Sequence, residues 1–281
     1  MQLPKLLPPF KTLSGSIGIG ASDTDLDSWS KILEAFTDLK EQFANISLSI
    51  YARKSLVRLD KLPARVVLKI SDFPETDLLK DIKAGTIKGA VRGSLSSSYF
   101  LECVMKVFSA TNIFRIALLE SASGHPFWFA PVGINEGITF EARKQFVEQA
   151  ITLFGKCQIT PNIGVLSKGR AGDAKRGIFI RESLDSNQKL VEEIAHKYPN
   201  ITIAHDEILL ENVLSKQRNF ILAPDGVSGN LIYRTLVHLG QGKAYGAVYC
   251  GEPFKKYTII DTSRVGNLDE IEGAMILALA I

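Results

Sequence analysis

Short apolar runs alternate with longer amphipathic segments along almost the whole chain. Apolar side chains recur every three to four positions over 25–43, which predicts a helix with a broad buried face. Residues 46, 48 and 50 are instead apolar at every second position, as in a strand. Because such strands and helices follow one another in regular succession, we predict an α/β fold built of βαβ units around largely parallel sheets.

The same patterns predict the remaining elements. Further strands are expected at 16–20, 66–70, 87–91, 115–120, 127–132, 162–167, 201–205, 220–224, 245–250 and 257–261. Further helices are expected at 74–85, from the end of a loop at 93–98 through about residue 110, and at 139–154, 187–198, 207–216, 229–239 and 267–280. One core enclosing all of these would be large, so we expect two lobes, with helix 139–154 as the crossover between them.

Charge and composition exclude several classes of partner. The chain has 281 residues, with 33 Lys and Arg against 30 Asp and Glu, a net charge of +3. This small excess gives no electrostatic support for binding nucleic acid or an anionic membrane. The N-terminus is interrupted by Pro4, Pro8 and Pro9 and lacks the apolar run of a signal peptide, and no segment reaches the length of a membrane span. We therefore expect a cytoplasmic protein.

Three familiar kinds of site are weakly indicated. Calcium-loop spacing is present at Asp23, Asp25, Asp27 and Glu34. Position six of that loop is Ser28 instead of glycine, so an acid-rich helix N-terminus is the better interpretation. The Gly-x-Gly sequence at 18–20 lacks the third glycine of a dinucleotide-binding loop. The four histidines share no metal-ligand spacing, and we predict no metal site.

The C-terminal quarter carries a more specific pattern. A predicted strand ends at Asp225, and a glycine-containing turn opens a helix at about Asn230, where unpaired N–H groups favour an anion. Ser263 and Arg264 follow another predicted strand, and the hydroxyl-rich loop 93–98 follows a third. Open α/β sheets bind ligands at the carboxyl ends of their strands. If the three loops converge, they form a phosphate pocket; otherwise they are three ordinary capped turns.

Alternatives remain open for several of these residues. Glu270, in the first turn of a predicted helix, can act either as a cap or as a base. Arg92 and Arg234 can bind an anion or form salt bridges, and Asp225 can serve as a turn or helix cap.

The C-terminal residues resemble the phosphate acetyl/butyryltransferase family. The matching residues are Pro224, Asp225, Gly229, Asn230, Tyr233, Arg234, Ala244, Tyr245, Gly246, Pro253, Ser263 and Arg264. Segments 88–98 and 161–177 resemble that family's G-A-V-H-T-T and L-S-x-S-T-K-G segments. The chain length and the sequence SKGRAGDAKRG are more similar to the methanogen-associated MtxX family, whose members carry the provisional name of methyltransferase subunit and are methanogenesis markers.

The resemblance implies a fold of two α/β/α lobes, like isocitrate dehydrogenase, with the active site in the cleft between them. The last helix would return to the first lobe, which gives 1–138 with 254–281 as the first lobe and 139–253 as the second. It also implies a homodimer.

The resemblance further implies a reaction in which a CoA thiol attacks an acyl phosphate. Ser263 and Arg264 match the catalytic pair that binds the phosphoryl and carbonyl oxygens, and Glu270 falls at the position of the catalytic aspartate. The expected substrate or phosphate contacts are Arg92, Ser94, Asp225, Gly229, Asn230 and Arg234.

The chain departs from that family in the CoA half of the site. Tyr99 and His238 replace the arginines associated with CoA, and Arg92 replaces the histidine before the two threonines. An arginine-to-histidine exchange at a phosphate contact is not neutral. We therefore expect phosphate or a phosphorylated acid to bind, whereas CoA is implied by the resemblance alone.

Three functions are compatible with these features. The first is a transferase acting on a phosphate-containing substrate. The second is a catalytically idle accessory of a corrinoid methyltransferase system, which would need partner subunits that carry the cobalt cofactor. The third is a methyltransferase acting directly. The chain has neither a complete glycine-rich loop for S-adenosylmethionine nor a D-x-H-x-x-G corrinoid segment.

Overall fold

A computed structural model of the chain describes residues 13–57 and 62–281. The interpretation of the proline-interrupted N-terminus therefore lies outside the described residues. Within the described part, the chain divides into two compact units. The first unit comprises 13–57, 62–113 and 244–281, and the second comprises 114–243.

Strands and helices alternate in the described chain. The strands are β1 (Ser14–Gly20), β2 (Asn45–Ala52), β3 (Val66–Ile70), β4 (Gly89–Val91), β5 (Phe114–Glu120), β6 (Pro126–Ala130), β7 (Asn162–Leu166), β8 (Thr202–Glu207), β9 (Phe220–Leu222), β10 (Lys243–Cys250) and β11 (Thr258–Asp261). The α-helices are α1 (Leu26–Gln42), α2 (Pro74–Ala84), α3 (Ser97–Phe108), α4 (Phe140–Cys157), α5 (Ile178–Lys197), α6 (Leu210–Ser215), α7 (Gly226–His238) and α8 (Leu268–Ala280). The predicted α/β class is confirmed.

The first unit is built on strands in the order β3-β2-β1-β4-β11-β10. All neighbouring pairs from β3 to β11 are parallel, and β10 is antiparallel to β11. Helices cover both faces of this sheet. A Cβ on Gly89 would contact Ala278 of α8, whereas Ala90, the next residue of β4, packs with Leu78 and Leu79 of α2. Since successive strand residues point to opposite faces, α8 and α2 lie on opposite sides.

The C-terminal helix α8 lies in the core of the first unit. Its residues 270–279 are all buried, and it packs against α1, β1, β4 and β11. A helix that is apolar on nearly all sides is one that a protein interior surrounds. The burial of α8 fixes the loop that precedes it, which carries Ser263 and Arg264.

The second unit has the strand order β5-β6-β9-β7-β8. β5 is antiparallel to β6, and the other pairs are parallel. These boundaries differ from those expected at 138 and 253. The difference arises because β5 and β6 join β9 in the second unit, while β10 pairs with β11 in the first.

Two helices begin earlier than predicted. α5 begins at Ile178 instead of 187. Its first turns are largely exposed and its buried positions start only at Leu184, so the apolar pattern of the sequence does not reveal them. α7 begins at Gly226 instead of 229, because Gly226 and Gly229 lie in the helix, where each packs against backbone atoms, and do not form a turn before it.

Among the residues that the structure describes, no helix has the length and apolarity needed to cross a bilayer.

Candidate functional site

The first unit contains a small pocket at the carboxyl ends of its central strands. β1, β4 and β11 are parallel neighbours, so the loops that follow them meet at one edge of the sheet. This is the edge at which open α/β sheets bind ligands. The pocket has a volume of about 100 Å³ and is lined by Asp25, Asp27, Ser28, Lys31, Gly93, Ser94, Ser263, Arg264, Val265, Gly266 and Ile271.

Backbone and hydroxyl groups join the loops after β1 and β4. The N–H of Ser22 donates to Ser94 Oγ at 2.8 Å, and the N–H of Ser94 donates to the Gly20 carbonyl at 3.2 Å. Gly93 lies between them with φ of +62°, and a Cβ there would overlap the Gly20 carbonyl oxygen. Only glycine fits that conformation and that close approach. Ser94 Oγ accepts a hydrogen bond from the Ser22 N–H, so its own hydroxyl hydrogen can still be donated to a ligand.

Arg92 lies behind the pocket wall and not in the pocket. Its side chain is 3% exposed, and its Nε and one terminal nitrogen donate to Asp261 and to the Thr262 carbonyl. The other terminal nitrogen donates to the Leu95 carbonyl at 2.5 Å. Burial acts to lower the pKa of the guanidinium, but Asp261 raises it overall, so Arg92 stays charged. All three nitrogens therefore donate to protein acceptors, and the expected ligand contact by Arg92 stays a prediction.

Glu270 also acts on the loop from behind. It is 2% exposed, and its Oε1 accepts from the backbone N–H of Ser263 at 2.6 Å. The N-cap of α8 is Asn267, whose side chain accepts from the Glu270 N–H at 3.1 Å. The cap alternative does not apply, because Asn267 and not Glu270 caps the helix. The carboxylate of Glu270 holds the Ser263 backbone, and its role as a base stays a prediction.

Ser263 and Arg264 do line the pocket. Ser263 is half-buried, and its Oγ accepts from the N–H of Val265 at 3.3 Å, so its hydroxyl hydrogen can be donated elsewhere. Arg264 is exposed, and no ion pair or hydrogen bond to its guanidinium is formed by any residue within 13–57 and 62–281. An arginine fork without a carboxylate partner is suited to bind phosphate or carboxylate oxygens.

Helix α1 supplies the remaining polar wall. The Asp25 side chain caps the helix by accepting from the Ser28 N–H at 3.1 Å. Lys31 Nζ lies 2.6 Å from Asp27 and 3.4 Å from the Gly266 carbonyl oxygen. The acid-rich helix N-terminus that the sequence predicts is present. Lys31 is a pocket residue that the sequence does not indicate, because its i,i+4 spacing from Asp27 is typical of an ordinary helix ion pair.

The other predicted contacts lie in the second unit, at the start of α7. Asp225 caps α7 by accepting from the Ser228 N–H at 2.8 Å, and it lies 2.9 Å from Lys168 Nζ. Partial burial acts to raise the pKa of Asp225, but the Ser228 N–H and the Lys168 ammonium together hold that pKa below its ordinary value. The helix-cap alternative therefore describes Asp225.

Gly229 and Asn230 serve the packing of α7. A Cβ on Gly229 would overlap the Pro131 carbonyl, and Asn230 Nδ2 donates to the Val132 carbonyl at 2.9 Å. Because α7 already begins at Gly226, neither residue supplies the unpaired helix-start N–H group expected from the sequence. Arg234 is exposed on α7 and stays a predicted contact.

The residues at the two altered CoA positions provide no guanidinium. Tyr99 is exposed on α3, where its hydroxyl interacts with Cys103. His238 ends α7, with its ring 6.3 Å from that of Tyr233. Neither residue offers the forked donor set with which an arginine binds phosphate oxygens.

Comparison with curated proteins finds close relatives in methanogens. A protein of Methanosarcina barkeri, printed as "Putative methyltransferase mtx subunit X", is 34% identical over 235 residues, which cover 82% of this chain and 84% of the relative. A protein of the same name from Methanosarcina mazei is 33% identical over 82% of this chain and 81% of the relative. No protein-family model matches the chain.

Solved structures with the same fold include two phosphate acyltransferases. A branched-chain phosphotransacylase from Enterococcus faecalis superposes with a TM-score of 0.70 at 17% identity, covering 94% of this chain and 98% of that one. A phosphotransacetylase from Staphylococcus aureus gives 0.65 at 14% identity over 95% of each chain. A β-decarboxylating dehydrogenase from Thermococcus kodakarensis gives 0.53 at 10% identity over 93% of this chain and 82% of that one. These likenesses show the fold, and the predicted isocitrate dehydrogenase-like class is confirmed.

Proposed function

Because the chain belongs to the mtx subunit X family, whose fold is that of the phosphotransacylases, we propose that it is a transferase that binds an acyl phosphate or inorganic phosphate. The ligand would lie in the pocket of the first unit, against Ser94, Ser263 and Arg264. This assignment combines the fold with the chemistry of the pocket, since fold alone does not specify function.

The observation that carries the proposal is the state of Arg264. It lines a pocket at the carboxyl ends of three parallel strands, and within the described chain its guanidinium has no protein acceptor. Arg92, which directly follows β4, shows the opposite arrangement: each nitrogen of its guanidinium donates to a protein acceptor. The pocket thus presents one arginine fork and two serine hydroxyls to a small anion.

The residues suit the charge changes of acyl transfer. An acceptor nucleophile adds to the acyl carbon, the bond from that carbon to the phosphate oxygen breaks, and the acceptor's proton ends on the released hydrogen phosphate. In the proposal, Arg264 binds the phosphoryl oxygens and Ser263 donates to the carbonyl oxygen as its negative charge develops. Ser94 donates to a phosphoryl oxygen, and Glu270 positions Ser263 in place of the role of base expected from the sequence.

The acceptor is not CoA in this proposal. Tyr99 and His238 occupy the two positions at which the similar acyltransferases carry arginines associated with CoA. No step is therefore assigned to CoA, and the acceptor stays outside the proposal.

A second candidate function rests on the names of the relatives. Both Methanosarcina proteins are named as a subunit of a methyltransferase, which supports a role as a subunit or accessory of such a system. This candidate predicts a stable complex with methyltransferase proteins and no change in its formation when Arg264 is replaced. The transferase proposal predicts that the isolated chain binds phosphate or acetyl phosphate.

Titration calorimetry with inorganic phosphate and acetyl phosphate tests the proposal. Arg264→Ala should weaken binding by about tenfold or more, because it removes charge-assisted hydrogen bonds. Arg181→Ala is the matched control, since Arg181 is an exposed arginine on α5 in the second unit. Binding that is absent from the unsubstituted chain, or equal in the Arg264→Ala and Arg181→Ala variants, would contradict the proposal.

A further inference from the structure

The first turns of α1 bring a second cation to the pocket. Lys31 lines it together with Arg264, and its Nζ also lies 3.4 Å from the carbonyl oxygen of Gly266, two residues after Arg264. The Lys31 side chain is 31% exposed, so it is partly covered by the pocket wall. Lysine has a flexible stem that carries a compact charge, and its ammonium can move between acceptors.

Two carboxylates balance the two cations in this arrangement. Asp25 is engaged as the cap of α1, where it accepts from the Ser28 N–H at 3.1 Å. Asp27 is 73% exposed, and its ion pair is with Lys31 at 2.6 Å. Asp25 is therefore held in place by the helix, whereas Asp27 is free to rotate towards solvent. The charges of Asp25 and Asp27 cancel those of Lys31 and Arg264. While Lys31 is paired with Asp27, the pocket therefore has no net positive charge to attract a dianion.

We propose that Lys31 is the second cation of the anion site and that Asp27 is an internal competitor, which a phosphate ligand displaces from Lys31. This inference rests on the proposed function and adds to it a binding residue and a ligand class. The ligand would bridge Arg264 and Lys31, which favours a dianionic phosphoryl group over a monocarboxylate. The positive end of the α1 dipole adds to the attraction.

The displacement is energetically reasonable. An exposed ion pair at i,i+4 on a helix contributes little to stability. A phosphoryl group between an arginine fork and an ammonium makes several charge-assisted hydrogen bonds at once. The competing interpretation is that Asp27 and Lys31 form an ordinary surface pair of the helix, with no part in binding. The two interpretations differ in how substitutions change the affinity for phosphate.

Affinity for inorganic phosphate, measured by calorimetry on the full chain, separates them. Lys31→Met should weaken binding by about tenfold, as expected for loss of a hydrogen bond to a charged group. Asp27→Asn should strengthen it by about two- to fivefold, the value of an exposed ion pair that no longer competes. In the Lys31→Met background, the gain from Asp27→Asn should become smaller, because the cation for which Asp27 competes is gone.

Matched controls on α1 account for changes in overall charge. Lys40→Met and Glu34→Gln change the charge by the same amounts outside the pocket, and both should leave the affinity within about twofold of the unsubstituted chain. An affinity that falls in Arg264→Ala but not in Lys31→Met would overturn this inference and leave the proposed function standing. An Asp27→Asn variant that binds no more tightly than Glu34→Gln would overturn the role of Asp27 as competitor. Absence of binding by every variant, Asp27→Asn included, would overturn both proposals.

Discussion

At the scale of single residues, two nearby arginines of the first unit have opposite environments. Arg92 is enclosed by Asp261, Thr262 and Leu95, and Arg264 projects from the loop that Thr262 begins. Residue type and position after a strand indicate that both lie at the carboxyl edge. They do not indicate which side chain turns into the protein, because that depends on acceptors contributed by other strands.

We predict that Arg92→Met destabilises the chain by about 3 to 5 kcal/mol, because it leaves the Asp261 carboxylate buried without its ion-pair partner. Chemical denaturation measures this change in unfolding free energy. Arg181→Met, at an exposed site, should change it by about 0.5 kcal/mol or less. A variant at Arg92 that retained full stability but lost phosphate binding would instead identify Arg92 as a ligand contact.

His205 should make stability depend on pH. Its Nε2 lies 2.6 Å from the buried Ser167 Oγ, and burial lowers the pKa of the imidazole below its ordinary value of 6.5, against the opposing effect of Glu207. The unfolded chain therefore takes up this proton first as the pH falls. The stabilisation is complete above pH 6.5 and is lost as the pH falls through the lower folded pKa.

Denaturation curves recorded at several pH values between 8 and 5 measure the unfolding free energy, which should fall below about pH 6.5. Replacement of His205 by Gln should flatten the fall in unfolding free energy, whose slope for one proton is at most about 1.4 kcal/mol per pH unit. His196→Gln, at an exposed position of α5, is the matched control. Equal curves for the unsubstituted chain and the His205 variant would show that His205 carries no such linkage.

At the scale of elements, α7 shows how a glycine pattern can be misread. Gly226 and Gly229 are typical of a turn, but both allow α7 to approach the backbone of the segment after β6. The contact partner is distant in sequence, so no local pattern reveals it. The start of α5 was missed for a different reason, since its first turns bury no apolar stripe and carry no side-chain cap.

The cap of α7 gives a prediction at this scale. Asp225→Ala should lower the unfolding free energy by about 1 kcal/mol, whereas Asp225→Asn should cost only a few tenths of that, because asparagine also caps helices. The ion pair with Lys168 adds little, since the lysine is 46% exposed. Thermal or chemical unfolding measures both variants, with Asp185→Ala on α5 as the exposed control. Equal losses for the Ala and Asn variants would assign the stabilisation to the ion pair and not to the cap.

At the scale of the whole molecule, the sequence predicts the class of fold well and its connectivity only in part. The alternation of strands and helices is local, and nearly every element lies where its periodicity places it. Strand order and direction are not local. The antiparallel β5–β6 and β10–β11 pairs, and the place of β10 in the first unit, depend on contacts between distant segments. The return of the last helix to the first unit was implied by the family resemblance and not by any local pattern.

The candidate site shows the same limit. Ser94, Ser263 and Arg264 each follow a predicted strand, and the sequence left open whether their loops converge; the structure brings the three residues to one pocket. Lys31 lies in the second turn of an amphipathic helix, where an exposed lysine is usual, so the sequence gives no sign of a binding role. Asp225, Gly229, Asn230 and Arg234 belong to the second unit, in which the first three have structural contacts of their own.

The central claim is that a phosphate-bearing ligand occupies the pocket between Ser94, Ser263 and Arg264. A crystal structure of the chain soaked with acetyl phosphate, and in parallel with phosphate and with CoA, tests it most directly. The account predicts tetrahedral density within hydrogen-bonding distance of the Arg264 guanidinium and both serine hydroxyls, with Lys31 turned from Asp27 towards the ligand. Density at another site, or a vacant pocket with Arg264 held in an ion pair, would contradict it.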